Sequence, residues 1–309
     1  MHSRIVSRLV TVPFTCLLAW PLACDSRAVV AETGKPIPIG AARPTAAPTT
    51  SAPVPSALVE PMVGLSRLAQ MIAAVNRGDV AWLKSHTGSI KDVLNERDST
   101  GYCALHHAAE SGQVQSLQWL LETGADPRVS TPFGMTPLLL AVRAGQLAAA
   151  KAMLRSSKVD VNQRFPLLDD ITPLMHALIL RNEALAEALL SAGADPNVPS
   201  DSGNSLHIFA RMNSRFLPRD AVRDYSRIGR LLITAGADVN FRLPRTGRTP
   251  FMLAVEHANL SAIEFLFQHG ADVNALDNQN KTALDLATPE IAPALVAKGA
   301  RRGASFTSK

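Results

Sequence analysis

Short apolar stretches recur along the chain at helical spacing, and glycine or small polar residues separate each one from the next. Residues 138–142 form one such stretch, and residues 117–121 carry leucines three and four apart, which places them on one helix face. Gly145 and Gly124 follow these two segments, where the chain reverses direction or a helix ends. The pattern predicts pairs of short helices packed against each other.

Two short phrases set the period of these helices. The first is Gly-Ala-Asp-x-Asn or a close variant, and its aspartates are spaced 34, 35, 43 and 34 residues apart, at Asp126, Asp160, Asp195, Asp238 and Asp272. The second phrase is Thr-Pro-Leu or a variant, and it begins 10 to 12 residues after the aspartate, at Thr136, Thr172, Thr249 and Thr282. Threonine before proline predicts a helix start, because the hydroxyl caps free backbone N–H groups and proline fits the first turn.

A period near 33 residues that carries both phrases resembles the ankyrin repeat. The resemblance covers residues 64–302 and implies an all-α solenoid of helix-turn-helix units with β-turn fingers. It implies about six repeats, including divergent caps at both ends, because a single repeat cannot bury its apolar face alone. It also implies a monomeric, non-enzymatic module that binds another protein on its concave face and fingers. The alternatives are neutralisation of a toxin or an enzyme, an effector role in a host, and binding of an anionic surface or nucleic acid through an arginine-rich insertion.

Residues 1–23 have the layout of an export signal. Arg4 and Arg8 precede an uncharged stretch that ends at Ala23, which predicts a signal peptide and export. Cys24 follows directly and resembles the lipidated cysteine of bacterial lipoproteins, although Pro21 and Leu22 depart from that pattern. The expected location is therefore the periplasm, free or membrane-anchored through Cys24. Secretion is the alternative to a periplasmic location, and ordinary cleavage after Ala31 is the alternative to lipidation at Cys24. Residues 1–23 could instead be a buried apolar helix or follow from a misassigned start codon.

Two further segments flank the repeats. Residues 24–63 contain seven prolines among threonine, serine and alanine, which predicts a disordered linker that cannot bury enough apolar surface to fold. The linker either lifts the repeat domain from a membrane or is a passive leader. Residues 303–309 are predicted to form a disordered tail.

The composition argues against several chemistries. The formal charge of +5 is small for 309 residues, and two of the positive charges lie in the leader, so nucleic-acid binding is not favoured. Three cysteines form neither a disulfide framework nor a zinc motif. No nucleotide, metal or catalytic motif is present, and His106 and His207 occupy a helix-start position where ankyrin repeats use histidine structurally. The chain is therefore predicted to need no cofactor or metal.

The resemblance also assigns candidate partner-binding residues by their phase in the repeat. They lie on the fingers (Tyr102, Phe133, Met135, Arg245 and Arg248) and on the inner helices (Arg143 and Arg211). Tyr102, Phe133 and Met135 are expected to form an apolar cluster across adjacent fingers, of the kind that dominates interface energy. The alternative is that the cluster only packs one finger against the next.

The repeat is stretched between Asp195 and Asp238, and the excess lies in the arginine-rich residues 211–230. Pro218 predicts a break, with a loop over 213–219, a helix starting near Asp220 and an outer helix lengthened by roughly one turn. Helical spacing then aligns three exposed arginines, Arg223, Arg227 and Arg230. This stripe is predicted to meet an acidic partner or anionic head groups; a merely solvated face is the alternative.

Overall fold

The computed structural model describes residues 66–166, 169–212 and 219–304, with backbone alone for 219–225. All described residues lie in one compact unit that spans 60–309. They form α-helices, one 3₁₀ turn at Lys91–Val93 and two isolated β-bridges. The helices are α1 (Arg67–Arg77), α2 (Val80–Ser85), α3 (Thr87–Ile90), α4 (Ala104–Glu110), α5 (Val114–Thr123), α6 (Pro137–Arg143), α7 (Leu147–Leu154), α8 (Pro173–Ile179), α9 (Glu183–Ser191), α10 (Ser205–Arg211), α11 (Arg219–Thr234), α12 (Pro250–Glu256), α13 (Leu260–Gln268), α14 (Ala283–Leu286) and α15 (Ala292–Ala297).

The helices pair into successive repeats, each with an inner and an outer helix. The pairs are α1/α2, α4/α5, α6/α7, α8/α9, α10/α11, α12/α13 and α14/α15, numbered here as repeats 1 to 7. Inner helices contact the inner helices of adjacent repeats, and outer helices likewise. The all-α solenoid predicted from the sequence is confirmed, and the described residues contain one helix pair more than the six expected.

The Thr-Pro phrases start inner helices as predicted. The hydroxyls of Thr136, Thr172 and Thr249 accept hydrogen bonds from the third backbone N–H of their helices. Proline follows each threonine in the first turn, where its missing N–H has no partner to lose. Cys103 and Asn204 take the threonine position in repeats 2 and 5.

Stacked leucines and alanines on the inner helices form the core. The second residue of each interior inner helix is buried, at Leu105, Leu138, Leu174, Leu206 and Phe251. Alanine recurs beneath them, fully buried, at Ala108, Ala141, Ala177 and Ala254. A small side chain at this point allows neighbouring helices to approach closely, so that the apolar faces of adjacent repeats merge into one core.

Asparagine side chains connect the turns that end successive repeats. The Asn162 side-chain oxygen accepts a hydrogen bond of 2.8 Å from the backbone N–H of Asp195, 33 residues later. The same bond, called here the asparagine rung, joins Asn95 to Asp126, Asn197 to Asp238, Asn240 to Asp272, and Asn274 to Arg301. In the turn that ends repeat 2, Arg128 stands in the asparagine position and instead contacts Asp126 of its own turn.

The stretched repeat differs from its prediction in length. Helix α11 begins at Arg219, one residue before Asp220, and has 16 residues, whereas α5, α7, α9 and α13 have 8 to 10. The extension is therefore closer to two turns than to one. Ile228 and Leu232 are buried and pack α11 onto the core. Most of the predicted loop, 213–218, lies outside the described residues, and so do the side chains of residues 219–225.

Gly303, the first residue of the predicted tail, contacts helix α14. It is buried, and its backbone N–H donates to the Asp285 carboxylate at 2.7 Å. The domain boundaries predicted from the sequence stay predictions. The predicted signal peptide, Cys24 and the linker up to residue 63 lie outside the described residues. No helix within 66–304 that the structure describes is long and apolar enough to cross a membrane.

Candidate protein-interaction surface

The fingers that precede the inner helices contact the fingers of adjacent repeats side by side. The Pro132 ring lies against Gly101, where any side chain would clash with it. Further along, the backbone N–H of Asp201 donates to the Asp169 carbonyl at 3.0 Å, and that of Asn278 donates to Thr246 at 2.9 Å. The finger residues of different repeats therefore form a continuous surface.

Two buried histidines tie fingers to the next repeat. The His106 Nδ1 accepts from the Cys103 backbone N–H at 3.1 Å, and its Nε2 lies 3.1 Å from the Met135 carbonyl. The His207 Nε2 reaches the Arg248 carbonyl at 3.2 Å in the same way. Burial lowers the pKa of both imidazoles to about 4, so they are neutral at pH 7. This geometry agrees with the structural role predicted for both residues.

The predicted apolar cluster of repeats 2 and 3 is only partly assembled. Tyr102 is half-buried, with its ring centroid 5.5 Å from that of His106, and Met135 is also half-buried beside the same histidine. Phe133 projects from the finger tip with 57% of its surface exposed. Tyr102 and Met135 thus support the finger, whereas Phe133 faces solvent.

Arg143 lies beside this cluster on the last turn of α6. Its guanidinium donates to the Glu110 carboxylate at 2.8 Å, which connects α6 to α4. Burial raises the pKa of Tyr102; the Glu110 charge adds to this effect, and Arg143 opposes it. The phenol therefore lies within electrostatic reach of the ion pair, and the site combines an aromatic tip with a charged edge.

Asp98 organises the same finger, and the sequence analysis did not select it. Its carboxylate accepts from the backbone N–H groups of Thr100 and Tyr102 at 2.8 and 3.0 Å, and from His107 Nε2 at 2.8 Å. Burial alone would raise the pKa of Asp98, but these hydrogen bonds and one from the Thr100 hydroxyl lower it to about 2. An Asp-x-Thr sequence is the signal that could have identified this turn.

The arginines of the C-terminal repeats are engaged within the chain. Arg245 lies 3.3 Å from the Asp201 carboxylate, and Arg248 binds Glu256 at 2.6 Å. Arg211 is half-buried on α10, and burial lowers its pKa. Arg248 and Arg211 are therefore less available to a partner than their phase in the repeat suggested, whereas the Arg245 side chain is 81% exposed in spite of its ion pair.

The predicted arginine stripe on α11 is not uniform. Arg227 binds Glu183 at 2.6 Å and Glu187 at 3.1 Å, both on α9. Arg230 is exposed and lines a groove between α11 and α13. The side chain of Arg223 lies outside the described residues. One arginine of the stripe thus fastens two outer helices together, and another faces a groove.

Other candidate chemistry has a structural explanation. Burial raises the pKa of the Cys103 thiol, which disfavours the reactive thiolate. Asp169 and Asp170 both adopt left-handed backbone angles, φ 53° and 57°, and the Asp169 carboxylate accepts from the Ser202 hydroxyl at 3.2 Å; this pair forms a turn. Among the residues that the structure describes, no three histidine, cysteine or acidic side chains gather as a metal site would require.

Comparisons with known proteins agree with this architecture. Three ankyrin models match the chain: "Ankyrin repeats (3 copies)" over residues 220–305, "Ankyrin repeats (many copies)" over 105–154, and "Ankyrin repeat" over 169–201. Together they cover more than half of the chain, which belongs to the ankyrin repeat family. Ankyrin repeats are protein-interaction modules, and the fold is generally a non-enzymatic scaffold.

Relatives and solved structures show the same fold in varied settings. The chain is 37% identical over 124 residues to Neurogenic locus notch homolog protein 1 of Danio rerio, a match covering 40% of this chain and 5% of that protein. It is 27% identical over 187 residues to human Transient receptor potential cation channel subfamily A member 1, covering 60% of this chain and 16% of that protein. The chain thus spans only a small part of these relatives.

The ankyrin repeat domain of Bcl-3 superposes with a TM-score of 0.65 at 20% identity, covering 76% of this chain and 99% of that one. The human ASB11 ankyrin repeat domain superposes with a TM-score of 0.54 at 24% identity, covering 74% and 96%. At these identities the likeness establishes the fold alone.

Proposed function

We propose that this ankyrin domain binds a partner protein through a finger surface made of Tyr102, Phe133, Met135 and Arg143. The observation that carries the proposal is Phe133, a large aromatic side chain with 57% exposure at a finger tip. Aromatic and arginine side chains contribute most of the binding energy at protein interfaces. Phe133 supplies the apolar anchor, and its neighbours hold the finger that presents it.

The surroundings of Phe133 support this role. Tyr102 packs between the rings of His106 and His107, at 5.5 Å from each, which fixes the adjacent finger before any partner arrives. A pre-ordered surface binds more tightly because less conformational freedom is lost on association. The Arg143–Glu110 ion pair provides a polar rim. A charged residue of the partner can replace either member of this pair and bind the other one.

We also propose that the domain acts outside the cytoplasm of a bacterium. The support is the leader sequence: Arg4 and Arg8, the uncharged residues 9–23, and Cys24. Lipidation of Cys24 would anchor the chain to a membrane, and the proline-rich residues 24–63 would serve as the spacer to the repeats. The chain then acts as a tethered, non-catalytic scaffold.

Affinity capture with paired variants tests the finger surface. Residues 60–309, the compact unit, are immobilised as wild type, as Phe133→Ala and as Val296→Ala. Val296 is the matched control, because it is also a large apolar side chain, 57% exposed, on the outer helix α15. The proposal expects a protein that the wild type and Val296→Ala retain and Phe133→Ala loses. Capture that is insensitive to Phe133 contradicts it.

Metabolic labelling tests the anchor. The full chain is expressed in bacteria with a labelled fatty acid, and Cys24→Ala is expressed in parallel. We expect label on the wild type only, with the variant released into the soluble fraction. Label that persists on Cys24→Ala would reject lipidation at this residue, and a full-length unprocessed protein would reject export.

A further inference from the structure

The outer helices α11 and α13 form a groove of about 600 Å³ between them. Ser226 and Arg230 line it from α11, and Leu260, Ser261, Glu264, Phe265, Gln268 and His269 line it from α13. Leu260 is 63% exposed, although large apolar side chains are usually covered. The groove thus combines an open apolar end with a cation.

A glycine on α11 lies against an aromatic ring that lines this groove. A methyl group at Gly229 would lie 2.7 Å from the Phe265 ring, so the ring occupies the space that a side chain would take. The His269 ring stacks on Phe265 with centroids 4.1 Å apart. The buried Phe265 ring and the exposed His269 ring are thus stacked on each other within the groove lining.

The neighbouring outer-helix interfaces are closed by ion pairs, which identifies what this groove lacks. Glu187, Arg230 and Glu264 each lie eight residues before the aspartate of the following turn. Arg227 on α11 binds Glu187 on α9 at 3.1 Å, and Lys298 beyond α15 binds Glu264 on α13 at 2.7 Å. Arg230 makes no hydrogen bond or ion pair with any described residue.

The position that should neutralise Arg230 holds a serine. Arg227 and Ser261 occupy the same place in successive repeats, eleven residues before Asp238 and Asp272. Arg227 supplies the charge opposite to Glu187, but Ser261 can supply none to Arg230. Among the described residues that line the groove, the one acid is Glu264, and it is bound to Lys298 and Gln268. The groove therefore has an unmatched positive charge beside an exposed leucine.

We propose that the α11–α13 groove binds a short extended segment of another protein that carries one carboxylate and one apolar side chain. The carboxylate pairs with Arg230, which a guanidinium favours through two parallel hydrogen bonds, and the apolar side chain covers Leu260 and the edge of Phe265. Leu260 to His269 spans roughly 13 Å of helix, which suits about four extended residues. This surface is separate from the finger surface and does not rest on it.

Labelled peptides provide the test. Fluorescein-labelled peptides with one glutamate and one leucine, separated by zero to three residues, are titrated against residues 60–309, and glutamine replaces glutamate in a matched set. We expect at least one glutamate peptide to bind about tenfold or more tightly than its glutamine partner. The preference should disappear in Arg230→Gln. It should also disappear in Ser261→Glu, which supplies the missing carboxylate from within the chain.

The controls separate this proposal from its rivals. Phe133→Ala should leave peptide binding unchanged, since it alters only the finger surface, and unchanged melting temperatures verify folding of each variant. No preference for glutamate in any peptide, or a preference that survives Arg230→Gln, would overturn the proposal. Vesicles containing phosphatidylglycerol are tested in parallel. If Arg230 is needed for vesicle binding while no peptide shows the preference, the groove recognises lipid head groups and the peptide proposal fails.

Discussion

The contact between repeats 2 and 3 and the contact between repeats 5 and 6 share the same finger bridge but differ in the turn that ends the earlier repeat. Both are bridged at the fingers by a buried imidazole, His106 in the first and His207 in the second. Only the second has an asparagine rung, from Asn240 to Asp272 at 2.8 Å. In the first, Arg128 replaces the asparagine and bonds within its own turn.

The difference shows that the rung is an addition to the solenoid and not a condition for it. Buried leucines continue through both contacts without interruption, and apolar burial is the larger stabilising contribution to a repeat interface. Repeat 6 in turn lacks a feature that repeat 3 has, a glycine at the bend between its two helices. Ala258 adopts a left-handed φ of 51° at this bend, where repeat 3 has Gly145. Each region therefore lacks one of the local features that the other has.

Removing a core leucine on either side of the comparison should have the largest effect. Leu138 in repeat 3 and Leu206 in repeat 5 occupy the same helix position, and both are buried. Replacing either with alanine should lower the free energy of unfolding by about 2–5 kcal/mol, measured by urea denaturation. Similar losses for the two variants would show that the core holds both contacts alike. A much smaller loss for Leu138→Ala would mean that the contact without a rung is also loosely packed.

Acid should weaken both contacts together. Burial lowers the pKa of His106 and His207 from 6.5 to about 4, so the unfolded chain takes up protons below pH 6.5 before the folded chain does. The stability is therefore fully present above pH 6.5 and is lost as the pH falls toward 4, at up to about 1.4 kcal/mol per pH unit for each histidine. Urea midpoints at pH 7, 6 and 5 measure it. His207→Asn should reduce this slope; a slope that is unchanged would contradict the burial argument.

The sequence predicted the fold well because each repeat encodes its own local structure. Thr172 caps a helix and Gly145 permits a bend through interactions within a few residues, and these signals recur with the period. The buried Leu174 follows from the same phase. Such features depend on chain-local geometry, which a sequence pattern expresses directly.

The candidate surface was predicted less completely because it depends on side chains that meet across repeats. Arg143 reaches Glu110, 33 residues earlier, and Arg227 reaches Glu187, 40 residues earlier. The pattern placed these arginines on the correct elements but did not show which carboxylates they bind. The Phe265 ring beside Gly229 and the groove around Arg230 could not be predicted either, because both arise from the packing of two helices that are distant in sequence.

Removing the rung should separate the two contacts. Asn240→Ala deletes the bond to Asp272 at 2.8 Å and a second one of 3.3 Å to the Gly270 carbonyl. We expect a loss of about 1–2 kcal/mol in the free energy of unfolding, because each hydrogen bond contributes roughly 0.5–1.5 kcal/mol net. Arg128→Ala is the control at the equivalent turn and should change stability much less. Equal losses would show that the asparagine acts through its own turn only.

Supplying the missing rung should have a smaller effect in the opposite direction. Arg128→Asn places an amide oxygen where it can accept from the backbone N–H of Asp160, and it removes an exposed contact with Asp126. We expect a rise in melting temperature of about 1–4 °C. Asp160 follows Lys158 and Val159 instead of the usual Gly-Ala. If the melting temperature does not rise, this altered turn holds the N–H out of reach.

The smallest effect is expected at the bend of repeat 6. Ala258→Gly removes the cost of holding alanine at φ 51°, about 1 kcal/mol or slightly more, while the added flexibility of glycine in the unfolded chain offsets about 0.5–1 kcal/mol. The net gain should be a few tenths of a kcal/mol. Gly145→Ala is the reverse change in repeat 3: φ is 71°, and no heavy atom lies within 4 Å of the added methyl, so backbone strain alone should destabilise the domain. Thermal unfolding of both variants measures the pair. If Ala258→Gly stabilises the domain and Gly145→Ala destabilises it, the two bends differ in backbone strain. If both variants are less stable, the half-buried Ala258 methyl group contributes more through packing than its strained backbone costs.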